Sequence, residues 1–135
     1  MANTLYTSAR SAMLEAQLNW LSDDMKAMLI DRDAYTPNFD THVYMSDVPG
    51  VSRITPGVLL TGKTTTGGAA RANNCTFTSV SGTTIESILI YKDTGVEGTS
   101  RLVAWLDTAT GLPITPNGGD IIVVWDTGAN GIFRP

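Results

Sequence analysis

Ile85-Glu-Ser-Ile-Leu-Ile-Tyr91, Leu102-Val-Ala-Trp-Leu106 and Ile121-Ile-Val-Val-Trp125 are the runs whose reading decides the fold. Each is short and apolar, and each is followed within two residues by an Asp (Asp93, Asp107, Asp126) and a turn rich in Thr and Gly. β-Branched and aromatic side chains fit a pleated, half-buried surface, and Asp, Thr and Gly suit the reversals between strands. The pattern therefore predicts consecutive strands of one sheet that supply the core. Residues 93–100 and 108–119 connect them. The second connection holds Pro113, Pro116 and Asn117-Gly-Gly119, as a wide loop does.

Outward from these runs the β pattern continues toward the N-terminus. Cys75-Thr-Phe-Thr-Ser-Val80 alternates apolar and polar residues, as a half-buried strand does. Residues 58–66 read as another strand, with turns at Gly67-Gly68, Asn73-Asn74 and Ser81-Gly82. Residues 32–57 look irregular, with turn signatures at Tyr35-Thr-Pro-Asn38 and Val48-Pro-Gly50 and room for one short helix over 40–47 capped by Asp40 or Thr41. A connection this long is commonly an extended arm or a contact loop. At the N-terminus Leu14, Leu18 and Leu21 recur at helical spacing, predicting a helix within 7–21 capped by Thr7 or Ser8. Met25, Met28 and Leu29 would prolong that stripe into one helix reaching Ile30. The turn-forming cluster Asn19-Trp-Leu-Ser-Asp-Asp24 favours a break and a strand at 24–31 instead.

The expected fold is mainly β: a jelly-roll-like antiparallel sandwich or barrel with a short N-terminal helix. One domain spans 1–135, with 1–22 as an N-terminal arm or helix and 32–57 as an irregular contact segment. A chain of 135 residues is enough for one core and too short for two ordinary domains. Charged residues make up only 16%, less than the surface of a free soluble monomer usually carries, which points to surface covered by partners. The net charge of −4 and a pI near 4.7 argue against nucleic acid or an anionic membrane as that partner. The single Cys75 excludes an internal disulfide and a Cys-based zinc cluster, and reads as a small buried apolar side chain. No apolar run reaches membrane-spanning length, and Met-Ala-Asn-Thr-Leu-Tyr6 lacks the basic-then-apolar pattern of a secretory signal. A protein made and kept in a cytoplasm, or assembled there into something larger, is expected.

Neither 101–107 nor 120–126 has a polar face. Val103 and Trp105 oppose Leu102, Ala104 and Leu106; Ile122 and Val124 oppose Ile121, Val123 and Trp125. A strand apolar on both faces has to be covered on both. The cover has to come from the N-terminal segment, from 32–57 or from another subunit. Tyr6, Trp20, Trp105 and Trp125 read first as core and second as subunit contacts. Leu5, Tyr6, Trp20, Tyr35, Phe39, Tyr44, Trp105 and Trp125 form the candidate partner interface.

Motifs of known chemistry are present in letter only. Gly57-Val-Leu-Leu-Thr-Gly-Lys63-Thr64 matches a phosphate-binding loop, but bulky Val-Leu-Leu suits a strand and the following Thr-Thr-Gly-Gly cannot start the helix that such a loop needs. Asp93-Thr-Gly95 and Asp126-Thr-Gly-Ala129 copy the aspartic-protease turn, yet they lie too close together for two protease lobes. His42 stands alone, without a second His or a Cys to build a zinc site. Asp23, Asp24, Asp31 and Asp33 form a local acidic group without the ligand order of a calcium loop. Asn74-Cys-Thr76 is a glycosylation sequon with no secretory signal beside it. No enzyme activity, catalytic residue, cofactor or metal is expected.

Several stretches nevertheless resemble a family of small virion proteins of tailed bacteriophages. They are Asn19-Trp-Leu-Ser-Asp23 leading into Lys26-Ala-Met-Leu-Ile-Asp31, then Tyr35-Thr-Pro-Asn38, Asp40-Thr-His42 and Leu60-Thr-Gly-Lys-Thr64. The most specific are Tyr91-Lys-Asp-Thr-Gly95 and Asp107-Thr-Ala-Thr-Gly111 through Asp120, followed by Trp125-Asp126 and Asn130-Gly-Ile-Phe133. The resemblance spans most of the chain and brings no catalytic motif. It implies a structural role in the particle, foremost as a capsid decoration or cement protein. Implied partners are the major capsid protein and other virion subunits, with self-association as a dimer or trimer, and the implied location is the virion, assembled in the host cytoplasm. The alternatives are a tail or connector component, such as a tail-tube or completion protein, and a host-surface binding module.

Overall fold

The computed structural model describes residues 4–106, 114–125, 128 and 131–134. Asp107, Asp126 and the stretch 108–113 lie outside them. Strand β1 (Thr4–Leu5) leads into helix α1 (Thr7–Leu14), then β2 (Met25–Ile30), β3 (Val58–Leu59), β4 (Cys75–Phe77), β5 (Ser87–Lys92), β6 (Leu102–Leu106) and β7 (Ile121–Val123). Five strands form an antiparallel sheet in the order β1-β6-β5-β2-β3, and β4 pairs with β7 in a second sheet. The larger sheet is open, with β1 and β3 at its edges, so the barrel alternative is corrected. The fold is mainly β with one helix, as expected.

The centre of the large sheet explains the two-faced apolar runs. β5 and β6 have strand neighbours on both edges, and the register aligns Met28, Leu89 and Trp105 on one face and Leu29, Ile88 and Leu106 on the other. Tyr35 lies edge-on to Trp105 at 5.4 Å between ring centroids, and Met45 and Arg53 border a small pocket with Met28 and Tyr91. The irregular segment after β2 thus covers the first face from within the chain. Side chains of the second face belong to the same continuous cluster as Cys75, Phe77 and Val123 of the small sheet. Every residue of β6 is buried, at most 2% exposed, so of the three expected sources of cover this strand uses those within the chain.

Helix α1 is shorter than 7–21 and turns a different face inward. It buries Ala9 and Ala12 and packs against β6, where small side chains allow close approach. Leu14 is 90% and Leu21 54% exposed, and only Leu18, beyond the helix, is buried. The Leu stripe therefore does not form. The helix stops because Ala16 takes a positive φ of 60° while the Gln17 N–H returns to the Ala12 carbonyl at 2.8 Å. The break before β2 stands as expected, and the single long helix is excluded. Asn19 Oδ1 accepts the N–H groups of Leu21 and Ser22, and Asp23 Oδ2 accepts that of Asn19.

Elsewhere the sequence overestimates regular structure. The helix expected over 40–47 is replaced by turns and short 3-10 segments at Met45–Asp47 and Gly50–Ser52. Asp40, its expected cap, instead accepts a hydrogen bond from the Thr7 hydroxyl at 2.7 Å. The strand expected over 58–66 is limited to Val58–Leu59, because the chain leaves the sheet and pairs locally through Thr64 and Arg71. That over 75–80 ends at Phe77.

Candidate functional site

The motifs of known chemistry resolve into local structure. Gly57 precedes β3 and lies so close to Tyr91 that a Cβ there would come within 2.0 Å of the phenol oxygen. Lys63 Nζ donates to the backbone carbonyl of Asp23, and no α-helix follows, so this stretch forms no phosphate cradle. Asp93 Oδ2 pairs with Lys26 Nζ at 2.9 Å, and its Oδ1 accepts the Gly95 N–H at 3.0 Å. Those two contacts, Lys26 foremost, hold the Asp93 carboxyl below its ordinary range. Asp126 lies outside the described residues.

The acidic group divides. Asp23 pairs with Lys92 at 3.3 Å, away from Asp31. Asp31 is buried and accepts hydrogen bonds from the Asp33 N–H and the Thr83 hydroxyl. Around it the carboxylates of Asp31, Asp33 and Glu86 come within 4.8 Å of one another. Glu86 was not legible as a member from sequence, because only the register that brings its N–H to the Ile30 carbonyl places it there. Burial first, then the charges of Asp33 and Asp31, raise the Glu86 carboxyl above its ordinary range. Cys75 is buried as expected, and burial pushes its thiol up to about 11, far from the thiolate that chemistry or metal binding requires.

The candidate interface residues are largely interior. Leu5, Tyr6, Trp20, Tyr35, Trp105 and Trp125 are each less than 9% exposed in the single chain. Only Phe39 and Tyr44 are half-buried, Phe39 against Tyr6 and Tyr44 beneath the guanidinium of Arg101. Four of their polar ends are satisfied inside, whereas the buried Trp105 Nε1 has no hydrogen-bond partner. Trp20 Nε1 donates to the Arg71 carbonyl, Trp125 Nε1 to the Asn73 carbonyl, and the Tyr6 and Tyr35 hydroxyls meet at 2.9 Å. Burial in the single chain bears out the core reading of Tyr6, Trp20, Trp105 and Trp125, and Leu5 and Tyr35 belong to the same core cluster.

The surface that remains is the outer face of the second sheet. β7 pairs antiparallel with β4 through Cys75↔Val123, Thr76↔Ile122 and Phe77↔Ile121. Val123 and Trp125 point inward, while Ile122 and Val124 are 61% and 51% exposed. Thr76 of the partner strand is the residue opposite Ile122. The strand is held at its start by Asp120, whose Oδ1 accepts the Ser79 N–H at 3.0 Å, and at its end by Trp125. No Lys or Arg occurs between 114 and 125, so this face lacks the cations that commonly guard an exposed strand. Among the described residues the other exposed large apolar side chains, Leu14, Leu21, Val51, Leu59 and Val96, each come from a different part of the chain. Such an apolar strand face can support docking and offers no group for bond chemistry. The chain matches no protein-family model and no curated protein.

Proposed function

We propose that this chain is a structural subunit of a tailed-bacteriophage particle, foremost a head decoration or cement protein that bridges major capsid subunits. The observation that carries the reading is the exposed pair Ile122, in β7, and Val124, just beyond it, alternating with the buried Val123 and Trp125. The low charge content and the stretches that resemble small virion proteins support it from the sequence. A β-sandwich of jelly-roll type belongs to the same proposal, supported by two antiparallel sheets contributing to one core cluster. On this reading the chain is not an enzyme, its partners are virion subunits and further copies of itself, and it resides in the particle. Repetition over a capsid lattice multiplies a modest contact into stable attachment.

The test is a map of the particle together with binding of the purified chain to particles that lack it. Density for the chain on the capsid exterior, and at least a tenfold loss of binding in Ile122→Asp/Val124→Asp, is the expected result. Absence of the chain from the capsid exterior, or unchanged binding by a variant that still folds, overturns the decoration reading. Rings of the purified chain that match the portal or tail symmetry would replace it with the tail or connector reading.

A further inference from the structure

We propose that His42 is a proton-sensitive clamp, holding the 38–42 turn against the start of helix α1 only while its Nδ1 carries no proton. A backbone N–H can only donate, and that of Asn38 lies 3.1 Å from His42 Nδ1, so Nδ1 is the acceptor and the ring proton sits on Nε2. The Tyr35 hydroxyl meets the same nitrogen at 3.0 Å and therefore donates to it. Its oxygen is then left to accept from the Tyr6 hydroxyl at 2.9 Å, giving one direction of donation from Tyr6 through Tyr35 to His42. The Tyr35 and His42 rings also stack at 5.5 Å.

This turn holds the helix start. The Tyr6 side chain makes no cap hydrogen bond for α1. Instead the Thr7 N–H donates to the Phe39 carbonyl at 2.9 Å, the Thr7 hydroxyl to Asp40 Oδ1 at 2.7 Å, and Phe39 packs edge-on to Tyr6 at 5.2 Å. The turn itself is closed by the His42 N–H to the Asn38 carbonyl at 2.9 Å and by Asn38 Oδ1, which takes the N–H groups of Asp40 and Thr41.

A proton added at Nδ1 turns the acceptor into a donor. The Tyr35 hydroxyl can rotate and accept from it, but the Asn38 amide cannot reverse, and two N–H groups then face each other. The turn has to open or the ring has to leave it. Asp47 is the carboxylate whose charge reaches the imidazole from the neighbouring 3-10 segment. The other ionisable groups around the ring do not compete. Tyr6 and Tyr35 are kept neutral by burial, which raises both phenols, and Asp40 is engaged by Thr7. Arg101 is occupied over the Tyr44 ring.

Because His42 is the only histidine, its titration can be read without ambiguity. The experiment follows the ring resonances of the full chain by NMR from about pH 8 to 5, the range in which imidazoles titrate, together with the Asn38 and Thr7 amides and their exchange protection. Both amides are expected to shift with the midpoint of the ring, and the Thr7 protection factor to fall roughly tenfold, as loss of one backbone hydrogen bond implies. His42→Gln, whose amide oxygen can accept but does not titrate, is expected to remove that pH dependence while keeping the amides in place. Asn38 and Thr7 amides that stay unmoved through the ring titration overturn the clamp. So does a Gln variant that keeps the wild-type pH dependence.

Discussion

Strands β6 and β7 are near twins as strings of letters and opposites in the molecule. Leu102-Val-Ala-Trp-Leu106 is buried throughout, whereas Ile121-Ile-Val-Val-Trp125 leaves Ile122 and Val124 in solvent. The difference lies in their neighbours. β6 sits between β1 and β5, with Tyr35 laid over Trp105 and α1 packed against the strand. β7 has the short β4 beside it and core behind it. A strand without a polar face thus states a requirement for cover without saying who supplies it. In β6 the requirement is met within the chain; in β7 it is left open, and that is the surface we propose for a partner.

The sharpest way to break this contrast is to truncate one side chain on each strand. Trp105→Ala empties a fully buried site, and a loss of about 3–5 kcal/mol in unfolding free energy is expected from denaturant titration. Ile122→Ala is expected to stay within about 0.5 kcal/mol in the isolated chain, as surface substitutions do. If Ile122→Ala costs as much as Trp105→Ala, the outer face of β7 is covered within the chain and no longer available to a partner.

The next largest effect concerns what holds the cover over the large sheet. Arg53 donates through Nη2 to the carbonyls of Met45 and Val48 at 2.6 and 2.9 Å, and pairs with Glu97 through Nη1. One side chain therefore ties the 45–53 segment to the loop between β5 and β6. Arg53→Met keeps the aliphatic stem and removes these bonds. A loss of about 1–3 kcal/mol is expected, because charge-assisted bonds to backbone carbonyls are given up. The same melts read by Trp fluorescence should show the segment loosening. A variant as stable as wild type would mean that apolar contacts alone hold the cover in place.

The same distinction explains what was legible in the sequence. The run 102–106 read as a strand because it is short, apolar on both faces and followed at once by an Asp and a turn rich in Thr and Gly, and β6 occupies those residues. The break before β2 was equally legible, since Asn19 and Asp23 bond to nearby backbone whatever surrounds them. Helical spacing of Leu14, Leu18 and Leu21 misled, because the close approach of α1 to β6 is made by Ala9 and Ala12, which carry little weight in a hydrophobic pattern. Tyr6, Trp20, Trp105 and Trp125 read first as core, as their burial has it, but the places of Tyr35, Phe39 and Tyr44 depend on the path of 31–53 across the sheet. The exposed pair on β7 was visible as one face of a strand, but not as the uncovered one. The meeting of Asp31 with Glu86 and the link from Tyr6 through Tyr35 to His42 were invisible, because each depends on strand register or on a loop returning to an earlier element.

The smallest expected effect separates the carboxylates by the sign of their shift. Backbone N–H groups of Val43 and Tyr44 hold Asp47 below its ordinary range, as Lys26 does Asp93. Such groups contribute stability that is complete above the unfolded carboxylate value of about 3.9 and is lost as pH falls through the lower folded values. Glu86 is shifted the other way, by burial and by Asp33 and Asp31. Its ionised form opposes folding at neutral pH, and that opposition is relieved as pH falls through the raised folded value toward the unfolded value of about 4.3. Glu86→Gln is therefore expected to stabilise the chain at pH 7 by up to about 1 kcal/mol, the scale of a partly solvated charge contact. The gain should shrink toward zero on acidification to about pH 4. Taking the difference between wild type and variant at each pH cancels the contributions of Asp47, Asp93 and His42. A gain that does not change with pH would trace the benefit to packing rather than to repulsion at Asp31, and would leave the acidic side of the β2–β5 junction as tolerant of charge as the open face of β7 is of apolar surface.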